Sequence, residues 1–222
     1  MRSSQTPDET EPERPVRQAV VPWDRLEGWV TRFETQHPGT TWRISAESVH
    51  ATSPDGTNAA WPLPFADRAD VRTLPELWSH LQQPWQVGVI LVRRGGFAVA
   101  HVVGAEVRES KVGQRHVQSR SKAGGWSQQR FARRRDNQAR EAFDAAAGHV
   151  GRILAPRARS LDLLALGGDR AAVTHVLSDP RLARLADRPQ RWLGGVADPK
   201  RDVLMHAIET TRSVPIEITD PR

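Results

Sequence analysis

The sequence predicts an α/β domain built on a mixed sheet, preceded by a small α+β module. Three observations carry this. Residues 87–92 (VGVILV) and 97–103 (FAVAHVV) are apolar runs flanking Arg93-Arg94-Gly95-Gly96, the pattern of a β-hairpin. Beyond residue 161, short apolar segments ending in glycine alternate with helical stretches, as strands and helices do in layered α/β domains. Between them runs a long segment, from near Gln129 to Leu154, whose apolar residues recur with helical period.

Taken in order, residues 1–18 are rich in Pro, Glu, Arg and Ser and nearly free of apolar side chains, so they read as a disordered tail. Residues 19–84 form the small module. Trp23, Leu26, Trp29, Val30 and Phe33 recur at three- and four-residue steps, a helix that ends before Pro38-Gly39. Residues 42–46 and 49–51 alternate as strands, Ser53-Pro54-Asp55-Gly56 is a turn, and residues 58–63 form the returning strand. Residues 75–81 form a short helix with Pro in its first turn. Five of the eight Trp residues (23, 29, 42, 61 and 78) fall in this module. Trp can stack on bases, but filling a small core is the simpler reading of them.

Residues 85–222 form the second domain. After the hairpin, residues 106–109 extend the sheet and residues 116–120 form a strand that leads into a loop. The long helix follows. Residues 161–166 are a buried strand, and Gly167-Gly168-Asp169 ends it and caps a helix over 170–177. Residues 180–185 make a helical turn and 191–196 a strand. Asp198 with Pro199 opens a helix to about Thr211, and residues 214–218 close the domain as its last strand.

The totals narrow the function. The 222 residues carry a formal net charge of +6, and only three of the 32 basic residues are Lys. A basic balance concentrated in one stripe favours nucleic acid as the partner. The absence of Cys excludes disulfides, thiolate metal sites and a Cys nucleophile. The N-terminus lacks the apolar core of a signal peptide, and no stretch approaches the roughly 20 apolar residues of a membrane span. A soluble, cytoplasmic protein without a membrane partner is expected.

The basic stripe is KVGQRHVQSRSKAGGWSQQRFARRRDNQAR, residues 111–140. A polar approach leads to Gly124-Gly125, which can bring backbone close to a ligand. Trp126-Ser127-Gln128-Gln129 follows, and then the helix. No acidic residue stands between Lys111 and Arg135. Such a loop suits a polyanion and a neutral reacting group, and it does not suit a metal. At about 100° per residue, Phe131, Ala139, Ala142, Phe143, Ala146, Val150, Ile153 and Leu154 share one arc of the helix. Arg130, Arg133, Arg134, Asn137 and Arg140 share the opposite arc. Arg135 lies on the apolar side, where it can hold the loop or reach a phosphate. Guanidinium groups bind phosphate in bidentate fashion.

The run from Gly124 to Arg135 resembles the catalytic loop and following helix of class-one eukaryotic and archaeal peptide-chain release factors, whose pattern is Gly-Gly-Gln before an Arg-Phe-Ala-Arg helix. It is closer to the Vms-like release factor (VLRF) family, with its looser Gly-x-x-Gln, and to that family's compact bacterial branch of peptidyl-tRNA hydrolases. Here Gly125-Trp126-Ser127-Gln128 has that spacing. The strict pattern would put Gln where Trp126 stands. The looser one places the amide at Gln128, with Gln129 the alternative. The resemblance is strong over residues 113–143, weaker over 87–218, and does not reach residues 1–80.

The resemblance implies a release-factor catalytic domain with a ribonuclease-H-like layout. It also implies hydrolysis of peptidyl-tRNA on stalled or split ribosomes, in ribosome rescue or quality control. Gln128, Gly125, Gly124 and Gln129 would form the catalytic loop. Arg120, Lys122, Trp126, Arg130, Arg133, Arg134, Arg135 and Arg140 would contact RNA. The partners would be the large ribosomal subunit, its RNA and peptidyl-tRNA; no metal or other cofactor is called for, and a monomer is expected. The alternative is a non-catalytic RNA- or ribosome-binding protein that uses the same helix. A metal nuclease built on Glu106, Asp162 and Asp169 is a lesser reading, since such enzymes need several carboxylates converging on two metals. His101 reads as a core or edge histidine. Gly167-Gly168 and Gly194-Gly195 read as structural turns.

Overall fold

The computed structural model describes residues 16–114 and 126–221, the side chains of 126–139 excepted. The chain divides into two compact units, one of residues 1–81 and 213–222 and the other of residues 82–212.

In the first unit, β1 (Val16–Pro22) leads into α1 (Trp23–Gln36). The strands β2 (Thr41–Ile44), β3 (Ser48–Thr52) and β4 (Asn58–Pro62) and the helix α2 (Leu74–Leu81) follow. The spacing of Trp23, Leu26, Val30 and Phe33 puts one face of α1 into the core, as the periodicity requires. The last strand of the chain, β10 (Ser213–Thr219), lies in this unit, between β1 and β4 in the antiparallel order β1-β10-β4-β3-β2.

That placement corrects two expectations. Residues 16–18, read as tail, are strand, paired with 217–219. The final strand joins this sheet and not the sheet of the second domain. Each is defined by a partner about two hundred residues away, which no local pattern reports. The tryptophans serve packing. Trp61 is buried at the centre of an aromatic cluster, with ring centroids 5.8 Å from Trp29 and 5.5 Å from Trp42. Trp42 also donates its indole N–H to Glu34 at 2.8 Å.

The second unit holds β5 (Gln86–Arg93), β6 (Gly96–Val103), β7 (Glu106–Gln114) and α3 (Trp126–Ile153). It continues with β8 (Leu163–Gly168), α4 (Arg170–Leu177), α5 (Ala183–Ala186), β9 (Gln190–Leu193) and α6 (Arg201–Thr211). The sheet order is β7-β6-β5-β8-β9. The β7-β6-β5 part is antiparallel, and β8 and β9 run parallel to β5, so the sheet is mixed, as expected. β5 and β6 are buried on both faces. On one face Ile90, Val92 and Val99 pack with Ala146, Val150, Ile153 and Leu154 of α3 and Val173 and Val176 of α4. α6 packs against β5 and β6 as well.

Two starts and one end differ from expectation. α3 begins at Trp126, three residues earlier than its apolar pattern suggests. α6 begins after an extended Lys200 with no side-chain cap, and the Asp198 carboxylate stands 4.0 Å from Arg93 instead of capping the helix. β7 runs on to Gln114, because its backbone stays paired with β6 up to Gly96↔Gln114.

Candidate functional site

The candidate site is the junction between β7, at the edge of the sheet, and α3. The two elements are held differently. β7 is fixed by its ladder to β6, and Gly113 is required there: a Cβ would lie 2.3 Å from the Phe97 ring. α3 is fixed by its C-terminal half. Ala142, Ala146, Ala147, Val150 and Ile153 are buried and Phe143 is half-buried against the core. Arg140 is exposed on the other side, so the two-faced wheel holds over the described side chains. The helix is 28 residues long, about 42 Å at 1.5 Å per residue. Gln128 therefore stands about 20 Å of helix rise before Ala142.

Of the residues expected to act, Gly124, Gly125, Arg120 and Lys122 lie outside the described residues, as does the expected strand at 116–120. Trp126, Gln128, Gln129, Arg130, Arg133, Arg134 and Arg135 lie in α3, where the backbone is helical. Trp126 to Gln129 make up its first turn. The first four N–H groups of a helix have no intrahelical acceptor, and they form the positive end of its dipole.

The carboxylates of the lesser reading are engaged elsewhere. Asp162 accepts the Gln86 backbone N–H at 2.7 Å and so clamps β5. Asp169 caps α4, accepting from the N–H of Ala171 at 2.9 Å and of Ala172 at 3.4 Å. Glu106 pairs with Arg108 at 3.0 Å. Among the described residues no group of three His, Cys, Asp or Glu could hold a metal, and no helix is long and apolar enough to cross a membrane.

His101 is 5% exposed and shares a hydrogen bond of 3.2 Å with Gln86. Burial, and then the Arg157 guanidinium, hold its imidazole below the ordinary value, against the opposing pull of Glu109. It is a neutral core histidine. Gly167-Gly168, expected as a turn, is instead the paired end of β8, and its role is structural: Gly168 has φ +103°, and a Cβ there would meet the Val92 carbonyl oxygen at 2.2 Å.

One feature was not legible in the sequence. Under the last residues of β7, a cavity of about 200 Å³ is lined by Phe97, Lys111, Gly113, Ala142, Ala145 and His149 among others, none of them acidic. The His149 ring stacks on Phe97 with centroids 5.1 Å apart, and its Nδ1 accepts a hydrogen bond from Arg152 at 3.0 Å. Burial, and then the cations Arg152 and Lys111, keep His149 below its ordinary pKa. These residues come from three elements, and nothing in their local spacing links them.

The family model described as Actinobacteria/chloroflexi VLRF1 release factor matches residues 85–217. No curated protein sequence matches the chain. Among solved structures, the Vms1 mitochondrial localization core is similar with a TM-score of 0.48 and 11% identity, over 76% of each chain. The archaeal translation termination factor aRF1 is similar with a TM-score of 0.36 and 17% identity, over 84% of this chain and 54% of that one. A structure described as an archaeal protein gives 0.31 and 16%, over 73% of this chain and 51% of that one.

Proposed function

The chain belongs to the actinobacterial and chloroflexi VLRF1 release-factor family, whose model spans more than half of it, and on that premise we propose that it is a peptidyl-tRNA hydrolase of ribosome rescue. A release function in translation, with ribosome and tRNA as partners, goes with the family. The finer reading is that the protein frees nascent chains on stalled or split large subunits, using Gln128 to place a water molecule. The observation that carries it is that Gly125-Trp126-Ser127-Gln128 runs into the first turn of a 28-residue helix.

The chemistry is ester hydrolysis. The water oxygen attacks the carbonyl that joins the peptide to the terminal ribose. The bond to the ribose oxygen breaks, and that oxygen takes up a proton. The products are a peptide with a free carboxyl group and a deacylated tRNA. A glutamine has no useful pKa, so its amide acts by orienting water and the leaving hydroxyl, and positioning alone can lower a barrier by several kcal/mol. The N–H groups of the first helical turn suit the developing oxyanion. Trp126 can stack on a base. Arg120, Lys122, Arg130, Arg133, Arg134, Arg135 and Arg140 supply charge for ribosomal RNA.

The test is peptide release from purified large subunits that carry labelled peptidyl-tRNA, with subunit binding measured in parallel. Wild type should release the peptide. Gln128→Ala should still bind, with affinity that falls steeply as salt rises, and should not release. Salt-sensitive binding without release by wild type would favour the non-catalytic RNA-binding alternative.

A further inference from the structure

The cavity beneath β7 has the chemistry of a nucleotide site. Its floor and walls are apolar: the Phe97 ring, Ala142 and Ala145. At about 200 Å³ it lies below the about 300–1,000 Å³ of most ligand pockets, so it suits one flat ring system and not a whole cofactor. Lys111 is the charged residue of its lining, and Gln114 and His149 add neutral polar groups. Lys111 lines it from β7, and Arg152 stands against His149 from α3; both cations are exposed. Because a guanidinium can only donate, His149 accepts at Nδ1 and keeps its proton on Nε2, which leaves a donor for a ring nitrogen or carbonyl. No lining residue is acidic. Apolar floor, neutral donor and flanking cations together match a heterocyclic base carrying a phosphate.

We propose that this cavity binds one unpaired RNA nucleotide, its base against Phe97 and the two alanines and its phosphate at Lys111 and Arg152. That the nucleotide belongs to RNA rests on the release reading above. Gln114, the last residue of β7, belongs to its lining. Two sources share this chemistry, the 3′ end of the tRNA and the ribosomal RNA.

The first test is titration of the isotope-labelled full chain with adenosine monophosphate, read by NMR at the amides of Gly96, Lys111 and Gly113. Ribose 5-phosphate serves as the control that lacks a base. Ala145→Leu fills the cavity with a good helix former at an exposed position. The expected result is saturable shifts with adenosine monophosphate and weaker, different ones with ribose 5-phosphate. Affinity should fall about tenfold in Ala145→Leu and several-fold in Lys111→Ala, with melting unchanged in both. Gln128→Ala should bind as wild type does, so this result stands or falls separately from the hydrolase reading. The absence of saturable shifts, equal shifts with ribose 5-phosphate, or full affinity in a folded Ala145→Leu would each overturn the proposal.

The second test compares wild type and Ala145→Leu on bare large subunits and on subunits loaded with peptidyl-tRNA. Weaker binding of the variant to loaded subunits alone assigns the nucleotide to tRNA. Weaker binding to both assigns it to ribosomal RNA. Equal binding in both settings overturns the proposal.

Discussion

Three strand-to-helix junctions in the second unit carry a glycine pair, and two of them differ sharply in charge. At β8–α4, Gly167-Gly168 ends the strand and Asp169 caps the helix that follows. The carboxylate takes the orphan N–H groups and opposes the positive end of the helix dipole. At β7–α3, Gly124-Gly125 precedes a helix of 28 residues, and no acidic residue stands anywhere from Lys111 to Arg135. A glycine pair therefore does not mark a site. What separates the two is a carboxylate cap at the first and, in the sequence around the second, cations without an acidic residue.

This contrast can be broken experimentally. The largest effect should come from giving the second junction the acid that the first one has. Gly125→Asp would put a negative charge beside the helix start and repel phosphate; peptide release should fall on the order of 100-fold, with melting unchanged. The converse change is Gly168→Ala, which forces a side chain onto φ +103° and into the Val92 carbonyl. Denaturant unfolding should show a loss of about 3 kcal/mol. Asp169→Ala removes only the cap and should cost about 1 kcal/mol in the same measurement.

A smaller effect concerns pH. The folded His101 resists a proton that the unfolded chain takes up near pH 6.5. Its stabilising contribution is therefore complete above that value and is lost as pH falls through the folded pKa. His149 is shifted the same way. Melting temperature should drop on acidification from about pH 7 to about pH 5, and the drop should be shallower in His101→Gln. The smallest effect is expected of Arg140→Ala, which removes one exposed cation. Ribosome affinity should fall a few-fold, and the salt slope should ease by about one unit.

Much of this was legible in the sequence, where the signal is local. The step of Trp23, Leu26, Val30 and Phe33 gave α1, the apolar runs around Arg93-Arg94-Gly95-Gly96 gave the hairpin, and Asp169 was readable as a cap because a cap needs only its own next turn. What escaped depends on partners far away in the chain. Val16, Arg17 and Gln18 are too polar to announce a strand and become one by pairing with β10. Asp198 looked like a cap until Arg93, at the end of β5, proved to be beside it. The candidate site divides in the same way. Its motif is contiguous and could be read directly. The cavity is not, because Phe97, Lys111 and His149 meet only when β6, β7 and α3 pack.

The most direct test of the central claim is single-turnover release of labelled peptide from preformed large-subunit complexes, comparing wild type, Gln128→Ala and Gln129→Ala. Release lost in Gln128→Ala and kept in Gln129→Ala, with both variants still bound, is the predicted result. Full release by Gln128→Ala would contradict it.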